Sequence, residues 1–204
     1  GSEMEKILKE FARLLSIRFE QDIPTTEDCV RYTFFYVLAL KGDVQPHQVI
    51  LEYPCGEGRR EALDTVVPNF NDRCWVMEFK YHRRAPKAGS ATPHSQHAGE
   101  LFNDIARLAA FKADKEAERL LVYITDSVMA NYFRSKRNSF GDFMDLPNNG
   151  KFTVDDALID GKCETFRGAI RSRCHAEVIS LLSVSLPGNR ELRGFRVLPR
   201  GTDA

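Results

Sequence analysis

Residues 62–82 constrain this chain more than any other stretch. Two β-rich runs, 62–67 and 75–82, flank a turn cluster at 68–73 rich in Pro, Asn and Asp, the pattern of an antiparallel hairpin. Side chains alternate along a strand. Trp75, Met77, Phe79 and Tyr81 therefore share one face, and Val76, Glu78, Lys80 and His82 the other. Closure around Asn71 sets Val66 opposite Val76, Asp64 opposite Glu78 and Ala62 opposite Lys80. Two carboxylates and an ammonium then crowd one patch of an otherwise apolar sheet.

That patch is costly without a third party. Like charges directly opposite across strands destabilise, and partial burial enlarges the repulsion. A divalent cation removes the conflict, because Mg²⁺ is usually held by one or two carboxylates with water and phosphate oxygens. Lys80 then holds a water or a phosphoryl oxygen as a point charge. The plainer reading is a surface hairpin, with Glu78 and Lys80 facing water and Asp64 pairing with Lys80. Glu-x-Lys is a short motif that arises by chance, and Asp160-Gly161-Lys162 repeats its type of spacing in a turn-like stretch. The hairpin and its matched register set Asp64…Glu78-Phe79-Lys80 apart.

Asp64, thirteen intervening residues and then Glu78-x-Lys80 on a strand resembles the PD-(D/E)xK nuclease superfamily. Leu63 stands where the name-giving Pro would be, a position at which members often differ. The resemblance spans about residues 25–126. It implies an α/β fold with a restriction-endonuclease-like core: a mixed central β-sheet, an antiparallel active-site hairpin and flanking helices. It also implies a Mg²⁺-dependent endonuclease, with Mn²⁺ as substitute, that hydrolyses DNA phosphodiester bonds in restriction, phage defence or recombination and repair. Asp64 and Glu78 would bind the metal and Lys80 would assist attack of water. Many such nucleases bring a Glu from the first core helix to the metal, a role that falls to Glu27, with Glu20 as the weaker match. A polar residue from a later helix is often added, here Gln96. The alternative is a silent module of the same fold that binds nucleic acid or a protein partner.

Composition bounds the rest. The 204 residues suit one domain over 1–204, with the core at about 25–126 and an extension over 127–204. With 43% hydrophobic and 28% charged residues the chain reads as soluble and globular. No apolar run is long enough to span a membrane, and no signal-peptide pattern is present. Cys29, Cys55, Cys74, Cys163 and Cys174 are odd in number and lack CxxC spacing. That pattern predicts reduced thiols and a cytoplasmic protein rather than a disulfide framework or a zinc site. Lys and Arg total 29 and Asp and Glu total 29, so DNA binding would rest on a local basic face. Arg59, Arg60, Arg83 and Arg84, flanking the hairpin, are the candidates. Homodimerisation or a larger complex stays open.

The remaining elements follow from periodicity. Apolar residues from Met4 to Phe19 recur at helical spacing. A second helix, capped by Thr25 or Thr26, runs to about Lys41; its apolar body, 32–40, predicts burial all round. Glu27 in its first turn reads equally as a helix-dipole residue paired with Arg31. Residues 49–54 form a strand whose Glu52 shares a sheet face with Asp64, as a further metal or water ligand or as a solvent-facing carboxylate. A helix at 95–112 and a buried strand at 119–125 complete a βαβ unit with the second hairpin strand. His94 and His97 carry no metal motif in this reading. A short helix near 129–133, a loop at 146–150 and a hairpin over 175–198 close the chain.

Overall fold

Ser2 Oγ accepts the Glu5 N–H at 3.2 Å and starts α1 (Glu3–Glu20). Met4, Ile7, Leu8, Phe11, Leu15 and Phe19 form its buried stripe, at the three- and four-residue steps that keep side chains on one helical face. Thr26 Oγ1 accepts the Cys29 N–H at 3.3 Å and caps α2 (Glu27–Gly42), which stops at Asp43 in a left-handed conformation, φ +52°. The computed structural model describes residues 2–55, 62–83, 92–113 and 116–200. It corrects the expectation of an α2 buried all round: Val30, Phe34, Val37 and Leu38 are buried, whereas Tyr32, Tyr36 and Leu40 are exposed. An apolar run reports hydrophobicity, but helical geometry turns only one side to the sheet.

The hairpin comprises β2 (Ala62–Phe70) and β3 (Arg73–His82), with Val66 opposite Val76 as the register argument requires. Asn71 and Asp72 both take positive φ, 51° and 59°, the geometry of a two-residue type I′ turn and one that Asn and Asp tolerate. β1 (Ile50–Pro54) pairs outside β2. α3 (His94–Ala110) crosses from β3 to β4 (Ala117–Thr125), which lies parallel to β3 from Cys74↔Ala117 to His82↔Thr125. Beyond it come α4 (Ser127–Arg134), β5 (Lys151–Val154), α5 (Asp156–Asp160), α6 (Glu164–Ala169), β6 (Ala176–Leu186) and β7 (Arg190–Pro199). The seven strands form one mixed sheet in the order β1-β2-β3-β4-β7-β6-β5. β7 pairs antiparallel with β4, so residues beyond 126 continue the sheet of the hairpin.

Two cores lie on opposite faces. α1 and α2 cover one, where Phe34 packs edge-on against Phe11 and Phe79 at 5.3 and 5.2 Å. Each such ring contributes about 1.5–3 kcal/mol by burial. The other face lies under α3, α4 and α6, with Phe102 of α3 ringed by Phe133, Phe140, Phe143, Phe152 and Phe166. α3 sits close to α6 because Gly99 lacks a side chain: a Cβ there would lie 2.5 Å from the Phe166 carbonyl oxygen. Arg193 of β7 is buried on the same side. Its guanidinium donates to the Met144 carbonyl, to the Leu146 carbonyl at 2.8 Å and to Ser180 Oγ at 2.9 Å. No helix among the described residues is long and apolar enough to cross a membrane.

Candidate active site

β2 and β3 do not stay paired to the open end of their hairpin. Their ladder is regular from Val67↔Trp75 to Thr65↔Met77 and stops there, while β2 keeps pairing with β1 through Leu63↔Tyr53 and Ala62↔Pro54. The expected pairings of Asp64 with Glu78 and of Ala62 with Lys80 are therefore absent from the ladder. Where the strands part, Asp64 Oδ2 accepts the Phe79 N–H at 2.9 Å, so a side-chain carboxylate satisfies a backbone donor of β3. Leu63 and Val66 pack into the same core, although residues three apart lie on opposite faces of a regular strand. The irregularity falls at Asp64, and Glu52 across from it on β1 takes φ +51°. Glu52 is exposed on this edge strand.

The splay leaves Asp64, Glu78 and Lys80 under α3, which brings Asp104 and Arg107 onto them. Arg107 Nε lies 3.4 Å from Glu78 Oε1, and its Nη2 donates to Asp104 Oδ1. Lys80 Nζ lies 3.4 Å from Asp104 Oδ2. Arg31 of α2 approaches Asp64 Oδ1 at 3.7 Å and also bonds Asp28, its neighbour one helical turn away. The expected partner of Arg31, Glu27, instead accepts the Tyr81 N–H at 3.4 Å. Four carboxylates (Glu27, Asp64, Glu78 and Asp104) thus meet three cations, Arg31, Lys80 and Arg107.

Burial governs the protonation of this cluster. It pushes Glu78 well above the usual carboxylate range, and the nearby Asp104 and Asp64 push it further. Burial likewise raises Asp104 and Glu27. For Lys80 burial opposes the charge, but Asp104, Glu27 and Glu100 outweigh it and hold the ammonium above its ordinary value. The charges remain poorly matched. Glu78 Oε1, Asp104 Oδ2 and Arg107 Nε are buried without a hydrogen bond, their ion pairs being stretched to 3.4 Å. Asp64 and Glu78 offer the two carboxylates that commonly hold Mg²⁺ beside water and phosphate, and the bare Glu78 oxygen suits a further positive charge.

A cavity of about 540 Å³ opens beside these groups, lined by Lys80, Gln96, Glu100, Asp104, Arg107 and Arg171 among others. Gln96 donates to Glu100 Oε1 at 3.2 Å. Arg83 lies elsewhere, its guanidinium bonding the Thr25 carbonyl at 3.0 Å. Glu20 is exposed at the end of α1. Arg59, Arg60 and Arg84 lie outside the described residues.

Neither Asp104 nor Arg107 belongs to the Asp64…Glu78-Phe79-Lys80 motif. The available signal was the crossover itself. The crossover from β3 to its parallel neighbour sets α3 against one face of the sheet, and polar residues flanking the apolar stripe of such a helix, here 104 and 107, come within reach of a polar side chain on that face. Asp104 is only 1% exposed, which no solvated helix face would give. Comparison of the chain with protein-family models, with curated proteins and with solved structures finds no match.

Proposed function

We propose that this chain is a Mg²⁺-dependent nuclease that hydrolyses DNA phosphodiester bonds on a restriction-endonuclease-like core. The observation that carries the reading is the splayed hairpin, where the Asp64–Phe79 hydrogen bond gathers Asp64, Glu78 and Lys80 under α3. Asp64 and Glu78 would hold the ion, with Glu27, which feels the charges of Lys80 and Asp64, drawing in to join them, Mn²⁺ substituting for Mg²⁺. When bound, the ion supplies Lewis-acid polarisation of the phosphodiester and offsets its developing charge. Lys80 positions the attacking water or stabilises charge on the phosphoryl oxygens. Asp104 and Arg107 are positioning residues: Asp104 fixes the Lys80 ammonium, and Arg107 links Asp104 to Glu78. Lys80, Arg107 and Arg171 on the cavity wall suit a phosphate backbone. DNA as partner and a cytoplasmic setting belong to this proposal.

One observation favours a second reading, a non-cutting module of the same fold: Arg107 and Lys80 already sit against Glu78 and Asp104 as built-in counter-ions. Wild type and Lys80→Ala, incubated with supercoiled plasmid, linear duplex and single-stranded DNA in Mg²⁺, Mn²⁺ or EDTA, separate the two. The nuclease reading expects metal-dependent cleavage that falls by about 10²–10³ in the variant. Metal-dependent cleavage indifferent to Lys80→Ala rejects the role of Lys80 and of the hairpin site around it. DNA binding without cleavage supports the second reading.

A further inference from the structure

His82 ends β3 and is 4% exposed. Its Nδ1 lies 2.7 Å from the buried Tyr123 Oη, but its Nε2 is buried with no hydrogen-bond partner. A bare ring nitrogen in the interior carries a desolvation cost that native structures rarely leave unanswered. Beside this ring stands a second imidazole. The ring of His97 on α3 is 4.8 Å away, centroid to centroid, and its Nδ1 is also buried without a hydrogen bond. Glu100, one turn along α3, brings Oε2 to 3.6 Å from that Nδ1. One ligand atom from each of the three lies within 4.8 Å of the others. We propose that His82, His97 and Glu100 form a metal centre separate from the Asp64–Glu78 pair, built for a divalent first-row transition ion.

The donor set selects the ion. Mg²⁺ takes oxygen ligands, whereas imidazoles favour zinc and its first-row neighbours. Two His and one Glu form a three-ligand zinc set that leaves a further position open. Ligand distances of about 2.0–2.2 Å require roughly 3.4 Å between donor atoms, so the three side chains must draw in slightly. His97 and Glu100, 29% and 38% exposed along their side chains, have room to do so.

The surroundings are those of a ligand shell. Metal-bound histidines almost always engage their other nitrogen, and Tyr123 Oη already engages His82 Nδ1. Gln96 bonds Glu100 Oε1 and leaves Oε2 toward His97. Glu100 also lines the 540 Å³ cavity, which gives an ion its path in. An ion here would fasten the end of β3, two residues past Lys80, to the helix that carries Asp104 and Arg107.

The test titrates the metal-stripped full chain with Zn²⁺ and, for its visible ligand-field bands, Co²⁺. With Mg²⁺ present to occupy the Asp64–Glu78 pair, the proposal expects one tightly bound ion per chain, intense low-symmetry Co²⁺ bands and their loss on Zn²⁺ addition. His97→Ala and Glu100→Gln should each weaken Zn²⁺ affinity by at least about tenfold. These partly exposed positions carry the test, since emptying the buried His82 site also disturbs Tyr123. Asp64→Asn and Cys163→Ser, which remove the other carboxylate site and the exposed thiol, should bind as wild type does. Zn²⁺ binding unchanged in both α3 variants, binding lost in Asp64→Asn or Cys163→Ser, or no saturable binding by wild type overturns the proposal. None of these readouts depends on DNA cleavage.

Discussion

Arg193 and Glu78 are each 1% exposed, each ionisable and each carried by a sheet strand, yet their surroundings differ in kind. Arg193 meets neutral partners: two carbonyl oxygens, a hydroxyl and the Phe195 ring at 5.1 Å from its guanidinium carbon. Only its Nε lacks a hydrogen bond. Glu78 meets charges, with Arg107 at 3.4 Å and the carboxylates of Asp104 and Asp64 acting against it. A buried charge surrounded by aligned dipoles rigidifies a fold. One surrounded by like charge is stored for use, since such conflicts cluster where ligands bind.

The contrast is breakable by mutation, and the largest effect should fall on Arg193. Arg193→Leu strands the Met144 and Leu146 carbonyls and should cost about 3–5 kcal/mol, as loss of a buried polar partner does; urea denaturation measures it. A loss below about 1 kcal/mol would mean that Arg193 is no staple. Gly99→Ala probes the support behind the site. Its Cβ, 2.5 Å from the Phe166 carbonyl oxygen and 2.7 Å from the Ala169 Cβ, must push α3 and α6 apart at about 1–3 kcal/mol. Cleavage should fall with it, because Asp104 and Arg107 ride on the same helix; unchanged cleavage would show that α3 does not set the site.

Glu78→Gln should move stability the other way, gaining about 1–2 kcal/mol in the metal-free protein while abolishing cleavage. The pH dependence has a definite sign. Because the folded carboxyl is held above its ordinary value, wild-type stability is fully present below the unfolded pKa and is lost as pH rises through the folded one. The advantage of the variant must therefore grow with pH over that window, read by thermal melts at stepped pH. An advantage that instead shrinks with rising pH would refute the like-charge account. The smallest effect concerns thiols, with no change in stability. Cys163 is exposed and its pKa is lowered, first by the Phe166 backbone N–H, while burial pushes Cys174 up to about 11. A thiol-reactive dye at mildly alkaline pH should label Cys163 first; equal rates would show that the region around Cys174 opens.

What could be read from the sequence was local. The Asn71-Asp72 turn sits between the two strands it joins, so Val66 opposite Val76 followed from counting. Asp64, Glu78 and Lys80 lie just past the end of that ladder, so counting put them in one neighbourhood without giving their pairs. His82 with Tyr123, Glu78 with Arg107 and Arg31 with Asp64 depend on how separate elements pack, which periodicity does not encode. His97 was passed over for that reason: the imidazole it meets, His82, is on β3. α2 was overburied because Tyr32 and Tyr36 are apolar by type and exposed by position. β5, α5 and α6 were missed because they are short, so packing rather than pattern sustains them.

The strand order carries a kinetic consequence. β4, the parallel partner that backs β3, is closed on its other side by β7, which sets Leu120 against Arg196. The hairpin can zip within microseconds, but closing so distant a pair belongs to the millisecond-to-second regime of non-local sheets. Until β7 docks, β4 presents a bare apolar edge, Leu120 to Ile124, of the kind that invites strands from other chains. The step most exposed to aggregation during refolding is therefore the arrival of β7, and dilute, slow refolding should favour the native sheet.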